Sequence, residues 1–115
     1  MANKKLTLII READKEIFEA IRKGKKKVET RAATPEHLEI ESGDTLVFSC
    51  GNKRAVKQVD NSAVFKSIKD LLKKYKVKDI NPDLKTEKEL KDMYMSFPGY
   101  AEKIKKYGLV AWELE

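Results

Sequence analysis

The residues best suited to chemistry lie close together, in the run Gly24-Lys25-Lys26-Lys27-Val28-Glu29-Thr30-Arg31. In an extended strand alternate side chains share a face, so Glu29 and Arg31 point one way while Val28 and Thr30 point the other. A guanidinium beside a carboxylate can grip a phosphate through paired N–H donors, or it can hold the carboxylate in place. The carboxylate in turn can accept hydrogen bonds from a base amino group such as N4 of cytosine. Strict alternation sets Lys26 on the opposite face from Glu29. One lysine of Lys25, Lys26 and Lys27, withdrawn from water beside that carboxylate, has the makings of a base or nucleophile near neutral pH. The plainer alternative is a structural Glu29–Arg31 ion pair next to a solvated turn of lysines.

Other chemistries find no support. The single histidine, His37, has no partner at metal-ligand spacing, so the sequence predicts no metal site and no Ser-His-Asp triad. Gly24, Gly43, Gly51, Gly99 and Gly108 are scattered and form no phosphate-cradling loop, so no nucleoside triphosphate, dinucleotide or other cofactor is expected. Cys50 reads as a small buried strand residue and His37 as a loop residue.

The elements that position the motif follow from apolar spacing. Lys5 to Ile10 reads as a strand. Ala13 to Lys23 reads as a helix with Ala13, Ile17, Ala20 and Ile21 on one face, stopped by Gly24. Val28 to Ala32 is the second strand, and the segment from Pro35 to Gly43 reads as a loop with room for one helical turn. Asp44 to Cys50 and Arg54 to Val59 form a hairpin about Gly51-Asn52. Asn61 or Ser62 is expected to cap an amphipathic helix carrying Phe65, Ile68, Leu72 and Tyr75. Thr86 with Glu89 makes a capping box before Leu90, Met93, Tyr94 and Phe97. After a short helical or irregular link from Tyr100 to Lys106, the segment from Gly108 to Leu114 closes the sheet. Tyr94, Phe97 and Trp112 are expected in the core, leaving Tyr100 and Tyr107 as the aromatics free to stack on a base. The order predicts an α+β fold, a small, partly open barrel of about five strands with flanking helices.

The chain has 115 residues, 41% of them hydrophobic and 38% charged, which suits one domain over residues 1–115 with a densely charged surface. The net charge of +6 is concentrated in two lysine-rich series, Arg22 to Lys27 and Lys66 to Lys78, with acidic residues from Glu36 to Asp44 between them. A polyanionic partner fits this distribution, as does simple solubilisation of helix faces. A lone cysteine and no apolar run near the roughly 20 residues of a membrane span point to a cytoplasmic protein with no membrane partner.

Gly24, Lys26, Glu29 and Arg31 fit the pattern G-x-K-x-x-E-x-R, which resembles the hallmark of ASCH domains. The resemblance extends over nearly the whole chain, through the helix before the motif, the Gly43-Asp44 turn and the terminal Tyr107-Gly108-Leu109-Val110-Ala111 strand. It implies a β-barrel related to PUA RNA-binding domains, of the small stand-alone kind. It also implies a pocket where the motif meets neighbouring helices, and it brings Lys26 into that pocket. The expectation is therefore RNA or a modified nucleoside bound in a basic cleft by Gly24, Lys25, Lys26, Lys27, Glu29, Arg31, Tyr100 and Tyr107. Some small ASCH proteins resemble amidohydrolases that remove the acetyl group of N4-acetylcytidine with a lysine, a threonine and a later carboxylate. Lys26 matches that lysine, but Glu29 stands at the threonine position, and Asp83 and Glu87 are only the nearest candidates for the carboxylate. If the protein is an enzyme, Lys26 and Glu29 are the expected catalytic residues of an amidohydrolase or a ribonuclease. An acidic protein partner ranks below RNA because it would leave the Glu29–Arg31 pairing idle.

Overall fold

The computed structural model describes residues 3–115. Five strands, β1 (Lys5–Ile9), β2 (Val28–Ala32), β3 (Thr45–Cys50), β4 (Lys53–Phe65) and β5 (Leu109–Leu114), form one mixed sheet. Their order is β1-β3-β4-β5-β2, with β1 parallel to β3 and the other pairings antiparallel. The sheet curls into a half-barrel with β1 and β2 as its two open edges. Six helices flank it: α1 (Lys15–Arg22), α2 (Pro35–Leu38), α3 (Ile68–Leu71), α4 (Val77–Ile80), α5 (Glu87–Ser96) and α6 (Tyr100–Tyr107), with a 3-10 turn at Glu12–Asp14 leading into α1. The α+β, partly open five-stranded barrel is thus the fold the sequence predicts.

Side-chain alternation on β5 divides the interior in two. Val110 and Trp112 join an inner cluster with Phe18 and Ile21 of α1 and Leu46 and Phe48 of β3, so α1 seats its apolar face inside the half-barrel. Leu109 and Ala111 face the other way, into a second cluster with Leu71, Ile80, Leu90, Tyr94 and Ile104 from α3 to α6. Trp112 is fully buried and its indole N–H donates to Ile40 O (3.3 Å). Cys50 is buried in the inner cluster, as expected of a strand cysteine. His37 lies on α2, where Nδ1 bonds Ala32 O (2.7 Å) and the ring meets Trp112 edge-on at 5.8 Å.

The stretch from Asn61 to Ile80 differs from the sequence reading: the expected helix is confined to Ile68–Leu71, and a second short one, Val77–Ile80, follows it. The helix expected to start at Asn61 or Ser62 is strand there: β4 continues to Phe65, with a register irregularity between Val59 and Asn61. Before the irregularity β4 pairs with β3, and beyond it Asn61 to Phe65 pair with Glu113 to Leu109 of β5. The ladder offered by β5 overrides the 3-4-3 apolar spacing, and a bulge lets one strand serve two partners. Helix α3 begins later, where the Ser67 hydroxyl accepts from Asp70 N–H (3.1 Å). The capping box of Thr86 and Glu89 forms as predicted at the start of α5.

Candidate functional site

Chain direction at the motif is set by the end of α1. Gly24 adopts φ +79°, open space surrounds it, and the requirement is therefore conformational: a left-handed residue that ends the helix. Lys25 N–H and Lys26 N–H both donate to Ala20 O (2.8 and 3.0 Å), so the chain is still wrapping the helix end at Lys26 and has not begun to alternate as a strand. This turn carries the Lys26 side chain inward, to the side where Glu29 lies. Nζ lies 3.2 Å from Glu29 Oε1 and also donates to Ile80 O at the end of α4. The strict alternation that would separate Lys26 from Glu29 does not apply, and both side chains are buried.

Glu29 and Arg31 share a face of β2, as alternation requires. Arg31 Nε and Nη2 both donate to Glu29 Oε2 (3.3 and 3.2 Å). Burial pushes the Glu29 carboxyl up, but the charges of Lys26 and then Arg31, with their hydrogen bonds, outweigh it and hold the group below its ordinary value. The group is an anion locked between two cations.

The open edge of β2 is closed by side chains. Leu114 N–H donates to Lys27 O and Ala33 N–H to Gly108 O (2.9 and 3.0 Å), so odd-numbered residues of β2 turn their peptide groups toward β5 and even-numbered ones turn theirs outward. The outward Thr30 N–H donates to Glu29 Oε1 (3.2 Å), and the outward Ala32 N–H donates to the Tyr100 hydroxyl (3.0 Å). Those bonds blunt an edge that would otherwise recruit another strand. Thr30 itself points to the helix side, where its hydroxyl bonds the Tyr94 hydroxyl. Burial raises the Tyr94 hydroxyl well above the usual phenol range, so it remains neutral. The Tyr94 and Tyr100 rings lie parallel, 6.3 Å apart.

Between the two sheet edges opens a cleft of about 540 Å³, lined on one side by Lys26, Glu29, Thr30, Arg31, Tyr94 and Tyr100. Ile9, Ile10, Arg11 and Ile17 from β1 and the start of α1 face them, and Ile80, Asn81, Asp83, Met93 and Phe97 complete the wall. The cleft is not the basic trough that the lysine series suggest. Its cations are Arg11, Lys26 and Arg31, set against the carboxylates of Asp14, Glu16, Glu29 and Asp83. The lysines of the Lys66 to Lys78 series do not line it, and Lys25 lines a separate groove on the other flank of α1. Gly24, Lys27 and Tyr107 are exposed outside the cleft lining, with Lys106 Nζ over the Tyr107 ring at 5.1 Å.

Lys26, Glu29, Arg31 and Tyr100 therefore converge, while Gly24, Lys25, Lys27 and Tyr107 stand apart from them. Sequence reasoning placed Tyr94 and Phe97 in the core; both pack with the second cluster and also line the cleft. It did not find Arg11, the Ile80 carbonyl or Asn81. The break at Asn81-Pro82 was a usable signal, but nothing local shows that it lies against Lys26, 54 positions from Ile80. Of the two acidic candidates, Asp83 lines the cleft and Glu87 does not. Among the described residues no cluster of His, Cys, Asp or Glu is arranged to hold a metal, and no helix is long and apolar enough to cross a membrane.

A five-stranded half-barrel with six flanking helices is the fold of ASCH-like proteins. The chain belongs to the ASCH family, an RNA-binding, PUA-like family: the ASCH domain model matches residues 12–115. Two solved structures are similar to it over nearly their full length. One is described as hypothetical protein PH0355, with 32% identity, coverage of 96% of this chain and 97% of that one, and a TM-score of 0.80. The other is the solution structure of protein PF0455 from Pyrococcus furiosus, with 31% identity, coverage of 96% of each chain and a TM-score of 0.74. No curated protein matches this chain.

Proposed function

We propose that the cleft binds a single nucleoside, free or as an unpaired residue of an RNA strand, with Lys26, Glu29 and Arg31 at its floor. The observation that carries this reading is the buried Lys26–Glu29–Arg31 cluster opening into a cleft of about 540 Å³, a volume in the range of small-molecule sites. Apolar side chains from both walls suit the faces of a base, and the half-buried Tyr100 and Phe97 offer ring surface for stacking. A buried ion cluster is weak evidence for stability on its own, and this one opens into a cleft, which supports a functional role. Exposed lysines outside the cleft, Lys25 and Lys27 nearest in sequence, supply the positive charge for flanking phosphates.

The test is binding of short single-stranded RNA and of free nucleosides to the wild type and to Arg31→Ala, at two salt concentrations. Loss of affinity for both ligands in the variant, with steeper salt dependence for RNA than for nucleoside, is the expected result. Unchanged binding in the variant would remove Arg31 from the site.

A second reading, hydrolysis of N4-acetylcytidine, is favoured by one observation: Thr30 and Asp83 line the same cleft as Lys26. Cytidine release by the wild type and its loss in Lys26→Ala would establish it. No release by the wild type leaves binding as the activity.

A further inference from the structure

The hydrogen-bonding capacity left over on the cleft floor identifies the kind of base it takes. Glu29 has about four acceptor positions on its two oxygens, and all are filled. Oε1 receives Lys26 Nζ and Thr30 N–H, both at 3.2 Å, and Oε2 receives Arg31 Nε at 3.3 Å and Nη2 at 3.2 Å. The expectation that Glu29 reads a base amino group therefore fails on valence: no lone pair remains for it. Freeing one would leave a buried cation without its partner, which is costly.

The donors, in contrast, are in surplus. Lys26 has three N–H bonds and uses them on Ile80 O and Glu29, leaving one. Arg31 has five and directs two at Glu29, leaving three. The Tyr100 hydroxyl accepts from Ala32 N–H, and its own proton has no acceptor among the described residues. The unpaired carboxylates of the cleft, Glu16 and Asp83, are exposed at its rim.

We infer that the floor of the cleft recognises a keto edge, the carbonyl oxygen of a uracil or guanine base, and that Glu29 is a positioning residue that aims Lys26 and Arg31 at that oxygen. This rests on the nucleoside-binding reading above. Where uracil has its C4 oxygen and guanine its C6 oxygen, cytosine and adenine carry an amino group, whose hydrogens would meet those of Lys26 and Arg31 at that position.

The experiment is an NMR titration of the protein with uridine, guanosine, cytidine and adenosine, repeated with Glu29→Gln. Uridine or guanosine should bind at least about tenfold more tightly than both amino nucleosides, the discrimination expected of one well-made set of base contacts. Whichever keto base is preferred tells a pyrimidine site from a purine one. The Glu29→Gln variant should weaken all four without reversing their order, because a positioning residue changes the reach of the donors and not their sign. Equal affinities, or tighter cytidine or adenosine, would overturn the keto assignment while leaving the nucleoside site standing. Binding of none by the wild type would overturn both. The wild-type ranking decides the matter even where the variant does not fold.

Discussion

Glu29 and Glu113 stand on neighbouring strands, one position out of register and on opposite faces of the same sheet. Both carboxyls are held below their ordinary value, yet by different means. Glu29 is buried and held by two cations against the cost of burial. Glu113 is partly exposed and is held first by the Tyr75 hydroxyl (2.7 Å) and then by Asn61 Nδ2 (3.2 Å), with Lys74 3.7 Å away. The neutral donors around Glu113 spend on it the hydrogens they direct there, and Tyr75 has no other to give. The cations around Glu29 have donors to spare, and both cations line a cleft. A buried carboxylate held by multivalent cations thus leaves donors over for a ligand, whereas the contacts to Glu113, all made to Oε2 of a partly exposed group, form a structural tie.

The largest effect is expected at Glu29. In Glu29→Ala the Lys26 ammonium, 6% exposed, loses its counter-charge, and unfolding in urea should register a loss of about 3–5 kcal/mol. A loss below 1 kcal/mol would mean that water reaches Lys26 freely and that the two clusters differ little.

Acid sharpens the contrast. Both carboxyls have folded pKa values depressed from 4.5, so the stability they contribute is fully present above about that pH and drains away as pH falls through the lower folded values. The urea midpoint should therefore fall on acidification in the wild type. Glu29→Gln should flatten that dependence more than Glu113→Gln, since burial shields the Glu29 interactions from solvent screening. The reverse ranking would make the surface tie the more strongly coupled one.

At the other cluster Tyr75→Phe removes one bond to a carboxylate that water can still reach. The expected cost is below about 1 kcal/mol, with nucleoside affinity unchanged. A change in affinity would show that the two faces of the sheet communicate. The smallest effect belongs to an ion pair with neither burial nor a cleft: Lys88→Ala, which removes the 2.9 Å contact to Asp92, should leave the urea midpoint unmoved within error.

How much of this was legible beforehand varies by residue. The Thr86–Glu89 capping box, the stop at Gly24 and the strand from Val28 to Ala32 were read correctly because each depends on groups within a few residues of one another. The reading failed at Asn61, where apolar spacing suits a helix but a long-range ladder to β5 holds a strand. It failed again on charge: lysine-rich series suggested a basic cleft, although where a lysine lies in space depends on the curl of the sheet and not on its neighbours in the chain.

The α+β element order and the shared face of Glu29 and Arg31 follow from the sequence alone, since propensity, capping and the two-residue strand repeat act locally. Only the tertiary structure decided that Lys26 joins that pair. The same holds for the Tyr94 and Tyr100 hydroxyls that reach β2, and for a cleft open between the first strand and the second. These depend on packing α4 to α6 against β2 and on the incomplete closure of the barrel, contacts between residues up to 68 positions apart that no local rule can specify.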